Sequence, residues 1–314
     1  MPDVIETSGL TKTYSSGRGQ PGVRAVDHLD LVVPEGEVFG FLGPNGAGKT
    51  TTIRMLTGLI RPTSGSAQVL GFDLLRDITR IKKRTGMVPE ASNLYDELSA
   101  FDNLVFAMQL YGVPRAERAA RAEELLARFR LSDKRDTPFA RLSRGMKRAL
   151  TVAAALAHRP SLLFLDEPTT GLDVMSARSL RAMIAGLRDE GTSIFLTTHY
   201  LEEAERLCDQ IAIVVGGRIV AQDTVSGLKA SLQEEPVVEV TLARPDGRVE
   251  TRRTGGGADL TGTVRSVLDE LPGWQVIALN TVRPTLEDVF VKLTGLSAEA
   301  MLTEKDGKRQ GNAG

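Results

Sequence analysis

A short apolar stretch, a glycine-rich turn and a helix-like stretch follow one another near the start of the chain. The run Val38–Leu42 is almost continuously apolar, which favours a strand buried on both faces. Residues 51–59 carry apolar side chains at helical spacing. Between them, Gly43-Pro44-Asn45-Gly46-Ala47-Gly48-Lys49-Thr50 fits the pattern G-x-x-x-x-G-K-[ST] in the strand-to-helix context that the pattern requires. This feature predicts a loop that binds phosphate.

The residue types in this loop suit that chemistry. Glycines at 43, 46 and 48 let the backbone curl so that N–H groups point inward at phosphate oxygens, and the following helix start adds about half a positive charge. We expect Lys49 to reach the β- and γ-phosphates and the Thr50 hydroxyl to bind Mg²⁺. The other residues expected to contact the nucleotide are Gly43, Pro44, Asn45, Gly46, Ala47, Gly48 and Thr51. The alternative, a solvated lysine in an ordinary turn, is disfavoured by the flanking strand and helix.

A second apolar run, Leu162-Leu163-Phe164-Leu165, ends in Asp166 and Glu167. Carboxylates at the carboxyl edge of a parallel sheet would lie beside the phosphate loop if the two strands are neighbours. Asp166 would then hold Mg²⁺, directly or through water, and Glu167 would polarise an attacking water as general base. Without the phosphate loop, the pair would be interpreted as an acidic turn at a strand end.

The remaining pattern predicts an α/β fold with further domains. Apolar runs at 193–197 and 210–215 alternate with helical patterns at 175–188 and 201–208, which is typical of a largely parallel sheet flanked by helices. Segment 99–141 is helical throughout and predicts a helical subdomain inserted in this core. We expect a boundary near 233–236, a small α+β domain over 236–296, and a polar tail at 297–314 whose end is disordered.

Composition limits the classes of partner. Lys and Arg number 39 against 40 Asp and Glu, so no basic excess points to nucleic acid, and no nucleic-acid partner is expected. A single cysteine, Cys208, cannot form an internal disulfide and fits a reducing compartment. The apolar runs are far short of the ~20 residues needed to cross a bilayer, so we expect the chain not to span a membrane alone.

Two more segments, Ala140-Arg141-Leu142-Ser143-Arg144-Gly145-Met146-Lys147 and Thr197-Thr198-His199, complete an ordered set of motifs. The set resembles the ATP-binding-cassette (ABC) family of ATPases over about residues 3 to 225. The resemblance implies a phosphate-loop ATPase fold with a mixed sheet core, a nucleotide-binding domain over 1–235 and a helical subdomain at about 91–145. It also implies ATP and Mg²⁺ as cofactors.

The resemblance assigns further residues to the nucleotide. Leu142–Met146 matches the signature loop that, in this family, caps the ATP bound to the opposite subunit, so Ser143 and Gly145 are expected to contact that ATP. Arg144 and Met146 depart from the usual Leu-Ser-Gly-Gly-Gln, as in the branch that serves ABC-2-type exporters. Ser143 would in any case cap a helix.

Four other positions take roles by resemblance. His199 matches the switch histidine that contacts the γ-phosphate and positions water, although a lone histidine at a strand end is usually structural. Asp173 lies in a loop that communicates across the dimer. Tyr14 is at the adenine-stacking position, with a half-buried strand tyrosine as the alternative. Glu90 stands where the family usually has glutamine, and its carboxylate could bind Mg²⁺ or a bound water.

The function implied is an energy-coupling ATPase subunit. Two copies of the chain would sandwich two ATP molecules and drive a separately encoded ABC-2-type permease from the cytoplasmic face of the membrane. The resemblance further implies export of a drug, antibiotic or lipid-like compound. Residues 93–97 and Phe101 are the candidate permease-facing surface, with an ordinary helical surface as the alternative. The 236–296 domain resembles the accessory domain of such exporters and is assigned no chemistry.

Two alternatives remain. The first is a soluble ABC-type ATPase acting on ribosomes or DNA. The ribosome-associated kind usually carries two cassettes, whereas the phosphate loop occurs once here, and segment 99–141 is too short for the long coiled coils of the DNA-repair kind. The second is a nucleotide-binding switch without turnover. Glu167 and His199 argue against it because both belong to chemistry rather than to binding alone.

Overall fold

The structure is a computed structural model that describes residues 3–16, 20–232, 237–255, 260–271, 273–282, 284–297 and 301. The described chain forms two compact units. One contains the residues up to Val225 together with those from Leu296 onward, and the other is Ser226–Gly295. The sequence placed the boundary ten residues later, at 235/236. The predicted linker at 233–236 and most of the predicted tail at 297–314 lie outside the described residues.

The first unit contains two sheets. Its strands are β1 Asp3–Ser16, β2 Gln20–Pro34, β3 Val38–Leu42, β4 Ser64–Val69, β5 Phe72–Asp73, β6 Thr85–Val88, β7 Leu162–Asp166, β8 Ser193–Thr198, β9 Gln210–Val215 and β10 Arg218–Thr224. One sheet has four antiparallel strands in the order β2-β1-β4-β5. The other has six strands in the order β10-β9-β3-β8-β7-β6, parallel throughout except for β10. The predicted mixed sheet core is confirmed.

Helices connect many of the strands in this unit. They are α1 Lys49–Leu56, α2 Ile78–Arg84, α3 Ala100–Leu110, α4 Arg115–Arg128, α5 Arg144–Ala155, α6 Val174–Asp189 and α7 Leu201–Leu207. Helices α3, α4 and α5 pack against one another, and their apolar residues, such as Leu104, Met108 and Leu125, are fully buried. Ser99 caps α3 by accepting from the Asp102 amide. Helices α3 and α4 lie within the segment 91–145 that was predicted as a helical subdomain, whereas α5 continues past the predicted end of that segment.

The core lies where the two sheets meet the helices. Every residue of β3, β7 and β8 is buried, as the continuous apolar runs predict. The Phe195 ring centroid lies 5.8 Å from that of Phe39, 5.5 Å from that of Phe41 and 5.7 Å from that of Phe164. Burying one such side chain stabilises a fold by about 2 kcal/mol. The strands that carry the predicted motifs therefore end on a densely packed platform.

The second unit is a small α+β fold. Its elements are α8 Val225–Ala230, β11 Val237–Ala243, β12 Val249–Gly255, α9 Leu260–Glu270, β13 Gln275–Val282 and α10 Leu286–Thr294. The strands form an antiparallel sheet in the order β12-β11-β13. Val240 and Leu242 of β11 pack with Val267 of α9 in its core. Thr285 and Asp288 form a capping box at the start of α10.

Across the described residues, we find no helix that combines the length and the apolar character needed to pass through a bilayer.

Candidate functional site

The phosphate loop joins β3 to α1 and is held in place by close backbone contacts. Gly46 and Gly48 have φ angles of 84° and 99°, a region that glycine enters without steric strain. A Cβ atom at Gly48 would lie 2.3 Å from the carbonyl oxygen of Ala25, and one at Gly43 would lie 2.2 Å from that of Val214. The glycines are therefore required by the approach of β2 and β9 as well as by the turn.

Lys49, the first residue of α1, is buried and lies inside the loop. Its Nζ donates hydrogen bonds to the carbonyls of Gly43 at 2.6 Å and Pro44 at 3.1 Å. It also lies 3.2 Å from Oε1 of Glu167. Burial lowers the pKa of the Lys49 ammonium, and the neighbouring Glu167 carboxylate opposes that shift. A phosphate bound in the loop would therefore compete with these two carbonyls for the hydrogen bonds that the ammonium donates.

Glu167 directly follows β7 and has a left-handed backbone, with φ at 48°. Its Oε2 lies 2.8 Å from Nδ1 of His199. The two atoms are in contact, but their alignment is not that of a hydrogen bond. Burial alone would raise the pKa of Glu167, but His199 and Lys49 outweigh it and hold the pKa below its ordinary value. The carboxylate is therefore ionised at neutral pH.

Asp166 accepts hydrogen bonds from a threonine of β8 and from a threonine at the end of the phosphate loop. Its Oδ1 accepts a hydrogen bond of 2.6 Å from Oγ1 of Thr197 and one of 3.3 Å from Oγ1 of Thr50. Burial raises the pKa of Asp166, and both hydroxyls oppose the shift. The sequence argument made this proximity depend on β3 and β7 being neighbours, and they are not, because β8 lies between them. Thr197 of β8 therefore pairs with Phe41 of β3 on one side and with Asp166 of β7 on the other.

Lys49, Glu167 and His199 meet in one cavity of about 390 Å³, a size within the range of small-molecule sites. Its lining consists of Ala25, Pro44, Asn45, Gly46, Gly48, Lys49, Thr50, Thr51, Glu90, Glu167 and His199. We call it the phosphate cavity. Most of the predicted nucleotide contacts therefore converge here, including Glu90, whose carboxylate opposes the lowering of the Lys49 pKa. Gly43 and Ala47 belong to the same loop, but both are buried and neither lines the cavity.

Asp166 does not line this cavity, and four further predicted residues also lie outside it. Ser143 and Gly145 line a separate cavity of about 650 Å³ between α5 and α6, and the Ser143 hydroxyl accepts from the Met146 amide at 3.3 Å. Asp173 caps α6 by accepting from the Ser176 amide at 2.9 Å. Tyr14 is 38% exposed on β1. One chain thus presents the signature loop and the phosphate loop at different places.

Sequence reasoning missed several polar residues that hold the site. Thr197 bonds Asp166, and its Oγ1 also accepts from the Glu167 amide at 3.1 Å. Glu203 of α7 is buried and accepts a hydrogen bond of 2.7 Å from Oγ1 of Thr198, and burial raises its pKa. Their position beside His199 was the available signal. Arg148, described below, left no such signal because its partners are backbone carbonyls.

The arrangement has a definite chemical capacity. Loop amides, a helix start and a buried ammonium favour a polyphosphate anion. An ionised carboxylate beside an imidazole lies on the same cavity and can accept a proton from, or orient, a water molecule. The arrangement is therefore suited both to holding a phosphate chain and to activating a water molecule.

Comparison with known proteins agrees with this geometry. Residues 26–170 match the family described as ABC transporter. The chain is 38% identical to the daunorubicin/doxorubicin resistance ATP-binding protein DrrA of Streptomyces peucetius, over 98% of this chain and 97% of that protein. It is 37% identical to a fluoroquinolones export ATP-binding protein of Mycobacterium tuberculosis, over 93% and 94% of the two chains.

Solved structures show the same architecture. An ATP-binding subunit of an ABC transporter superposes with a TM-score of 0.64 at 31% identity and covers 73% of this chain and 93% of that one. A dimeric ATP-binding cassette in a post-hydrolysis state with ADP and phosphate bound superposes with a TM-score of 0.64 at 25% identity, covering 70% and 98% of the two chains. The sequence motifs, the phosphate cavity and these relatives lead to one conclusion: the chain belongs to the ABC transporter family and is one of its nucleotide-binding ATPases.

Proposed function

We propose that two copies of this chain hydrolyse ATP to drive an ABC-2-type membrane permease that exports a drug, antibiotic or lipid-like compound. The observation that carries the proposal is the contact of Glu167 with both Lys49 and His199 on the phosphate cavity. Binding alone requires the loop and the lysine. A buried, ionised carboxylate with an imidazole behind it is the addition that hydrolysis requires.

The proposed roles follow from position. Lys49 and the loop amides bind the β- and γ-phosphates. Glu167 orients a water molecule for attack on the γ-phosphate and accepts its proton, while His199 fixes the Glu167 carboxylate and contacts the same phosphate. Tyr14 is proposed to stack on the adenine. Its ring already lies 5.3 Å from the Nζ of Lys12, so a cation and an aromatic face are paired on β1.

The residues present fit a magnesium ion that arrives with the nucleotide. Mg²⁺ is usually held by one or two protein oxygens together with water and substrate phosphates, and the Thr50 hydroxyl and Asp166 carboxylate provide such a pair at 3.3 Å from each other. Glu90 is proposed as a further ligand or as a contact to bound water. When bound, the ion neutralises charge on the phosphate oxygens.

A second copy would complete the site. Among the described residues, Ser143 and Gly145 line a different cavity from the one that Lys49 lines. We therefore propose that they cap the nucleotide held by the partner chain. Asp173 is proposed to carry the signal across the interface. The solved cassette that is dimeric with ADP and phosphate supports this assembly. Arg144 departs from the usual signature and donates a hydrogen bond of 2.7 Å to the Gly171 carbonyl instead.

The export role is supported by the relatives that cover nearly the whole chain. Their names refer to resistance to daunorubicin and to export of fluoroquinolones and Nod factors, and none of these three is named for ribosomes or DNA, so that alternative is not proposed. On this chain, the permease would contact the surface formed by residues 93–97 and Phe101. Tyr95 on that surface is 51% exposed and rests edge-on against Phe106 at 5.1 Å.

The test uses the full chain co-expressed with a candidate ABC-2-type permease from the same organism. We expect the two to co-purify in detergent, and ATP turnover of the complex to rise when an anthracycline or a fluoroquinolone is added. Glu167→Gln should lower turnover about 1,000-fold while leaving an ATP-bound dimer on gel filtration. Normal turnover by Glu167→Gln would contradict the role of Glu167, and failure to co-purify with a membrane protein would contradict the export role.

A further inference from the structure

One buried arginine links the signature helix to the phosphate cavity. Arg148 lies on α5, one turn after Ser143, and is 8% exposed. A guanidinium has five N–H donors and no acceptor. In this structure its three nitrogens donate to the carbonyls of Pro168 at 2.7 Å, Asp166 at 3.0 Å, Glu167 at 3.2 Å, Glu90 at 3.3 Å and Pro89.

The partners are informative because of what they precede or carry. Pro89 and Glu90 follow β6, and Glu90 lines the phosphate cavity. Asp166, Glu167 and Pro168 end β7 and start the next turn, and this backbone holds the proposed magnesium ligand and the proposed base. One side chain from α5 therefore binds the backbone on two strand ends at once.

The carbonyl partners distinguish Arg148 from an ordinary ion pair. These five bonds all go to backbone carbonyls. Burial lowers the pKa of Arg148 to about 10, and the nearby carboxylates of Asp166, Glu203 and Glu90 oppose this shift. The group is charged at neutral pH. Its five bonds fix the positions and directions of backbone groups, while the side chains of Glu90 and Glu167 line the phosphate cavity. Glu167 needs such a hold because its φ of 48° is one that non-glycine residues rarely adopt.

We propose that Arg148 is a positioning residue for ATP hydrolysis, which holds the backbone of Glu90 and Glu167 in register with the helix that bears the signature loop. It acts through those residues and does not touch the phosphate loop. The inference deepens the proposed function and rests on it. Lysine cannot replace the guanidinium, because a single ammonium has three donors on one atom and cannot reach carbonyls on two sides.

The test compares Arg148→Lys with a matched control in the full-length chain. Arg118→Lys is the control, since Arg118 is a half-buried arginine of the helical subdomain that donates to one backbone carbonyl, that of Val113 at 2.8 Å. Steady-state kcat and KM for MgATP and equilibrium binding of a fluorescent ATP analogue are measured for both. We expect Arg148→Lys to lower kcat about 10- to 100-fold while KM and nucleotide affinity stay within about threefold of the native values.

A second readout separates positioning from general destabilisation. In the Glu167→Gln background, Arg148→Lys should still form the ATP-bound dimer on gel filtration, because the proposal places its effect on hydrolysis. If Arg148→Lys melts below the assay temperature, Arg148→Gln is measured in the same way. Loss of nucleotide binding by both variants would overturn the inference, as would a kcat equal to that of Arg118→Lys. Failure of the proposed function is distinct, since it shows as an inactive native chain or an active Glu167→Gln.

Discussion

The phosphate cavity and the signature face differ in how completely one chain builds them. We define the signature face as Ser143, Gly145, Val174 and Met175. In the phosphate cavity, Lys49 and Glu167 are 5% and 8% exposed and are paired with each other. On the signature face, Val174 and Met175 are 79% and 68% exposed, although they begin a well-capped helix.

This difference shows which part of the site is finished before a partner arrives. Lys49 and Glu167 are already buried, and each serves as the counter-charge of the other. The signature face leaves two large apolar side chains in water beside a serine that bonds only its own helix start among the contacts described. Exposed apolar side chains grouped in this way mark an interaction site. The proposed dimer would cover the second region with the first region of another copy.

The largest expected effect comes from separating the two regions on different chains. Lys49→Ala removes the buried ammonium and should lower turnover about 100-fold or more, and Ser143→Ala should lower it about tenfold through one lost charge-assisted bond. When the two variants are mixed, a heterodimer has one site with an intact Lys49 and an intact Ser143. ATP turnover of the mixture should therefore exceed the sum of the separate activities. A mixture that only sums them would show that each chain acts alone.

A smaller effect is expected inside the cavity. His199→Ala should lower kcat about 100-fold and also shift the acid limb of the pH profile of kcat/KM. The native pKa of Glu167 is held below its ordinary value by His199, so the carboxylate loses its charge only when the pH falls through that lowered value. Without the imidazole the pKa rises, and activity should fall at a higher pH than in the native chain. Tyr200→Phe, which keeps the ring that lies 4.0 Å from that of His199, serves as the control with an unchanged limb.

The smallest effect concerns the stability of a single chain. Met175→Glu should change the free energy of unfolding by less than about 0.5 kcal/mol, because the side chain is exposed. In the Glu167→Gln background the same substitution should raise the ATP concentration needed for the dimer, since it places a charge on the apolar signature face. Gel filtration and chemical denaturation measure the two effects. An unaffected dimer would mean that Met175 lies outside the contact.

Local patterns predicted the parts of the fold that carry continuous apolar runs. Strands β3, β7, β8 and β9 were recognisable because both faces of each strand are buried. Strand β4, with the sequence Ser-Gly-Ser-Ala-Gln-Val, was not recognised, since it buries only Ala67 and Val69. The strand order was also inaccessible. No local pattern indicates that β8 lies between β3 and β7, and this order is what brings Thr197 beside Asp166.

The same limit applies to the site. Lys49, Thr50, Asp166 and Glu167 occur in compact motifs whose chemistry can be deduced from residue type and spacing. Arg148 binds carbonyls, which every residue possesses, so its partners leave no trace in the sequence. Glu203 lies in the first turn of α7 and is buried against Thr198, and the sequence of this short helix does not show that this side faces the core.

The phosphate loop packs tightly between Ala25 and Val214, and this packing affects the affinity for the nucleotide. A loop that must fold around its ligand is competent for only part of the time, and its apparent affinity falls by that fraction. Here the backbone at Gly43 and Gly48 packs so closely against Val214 and Ala25 that not even a Cβ atom would fit. The cradle is therefore preorganised, and little of the binding energy from the triphosphate has to be diverted to ordering it.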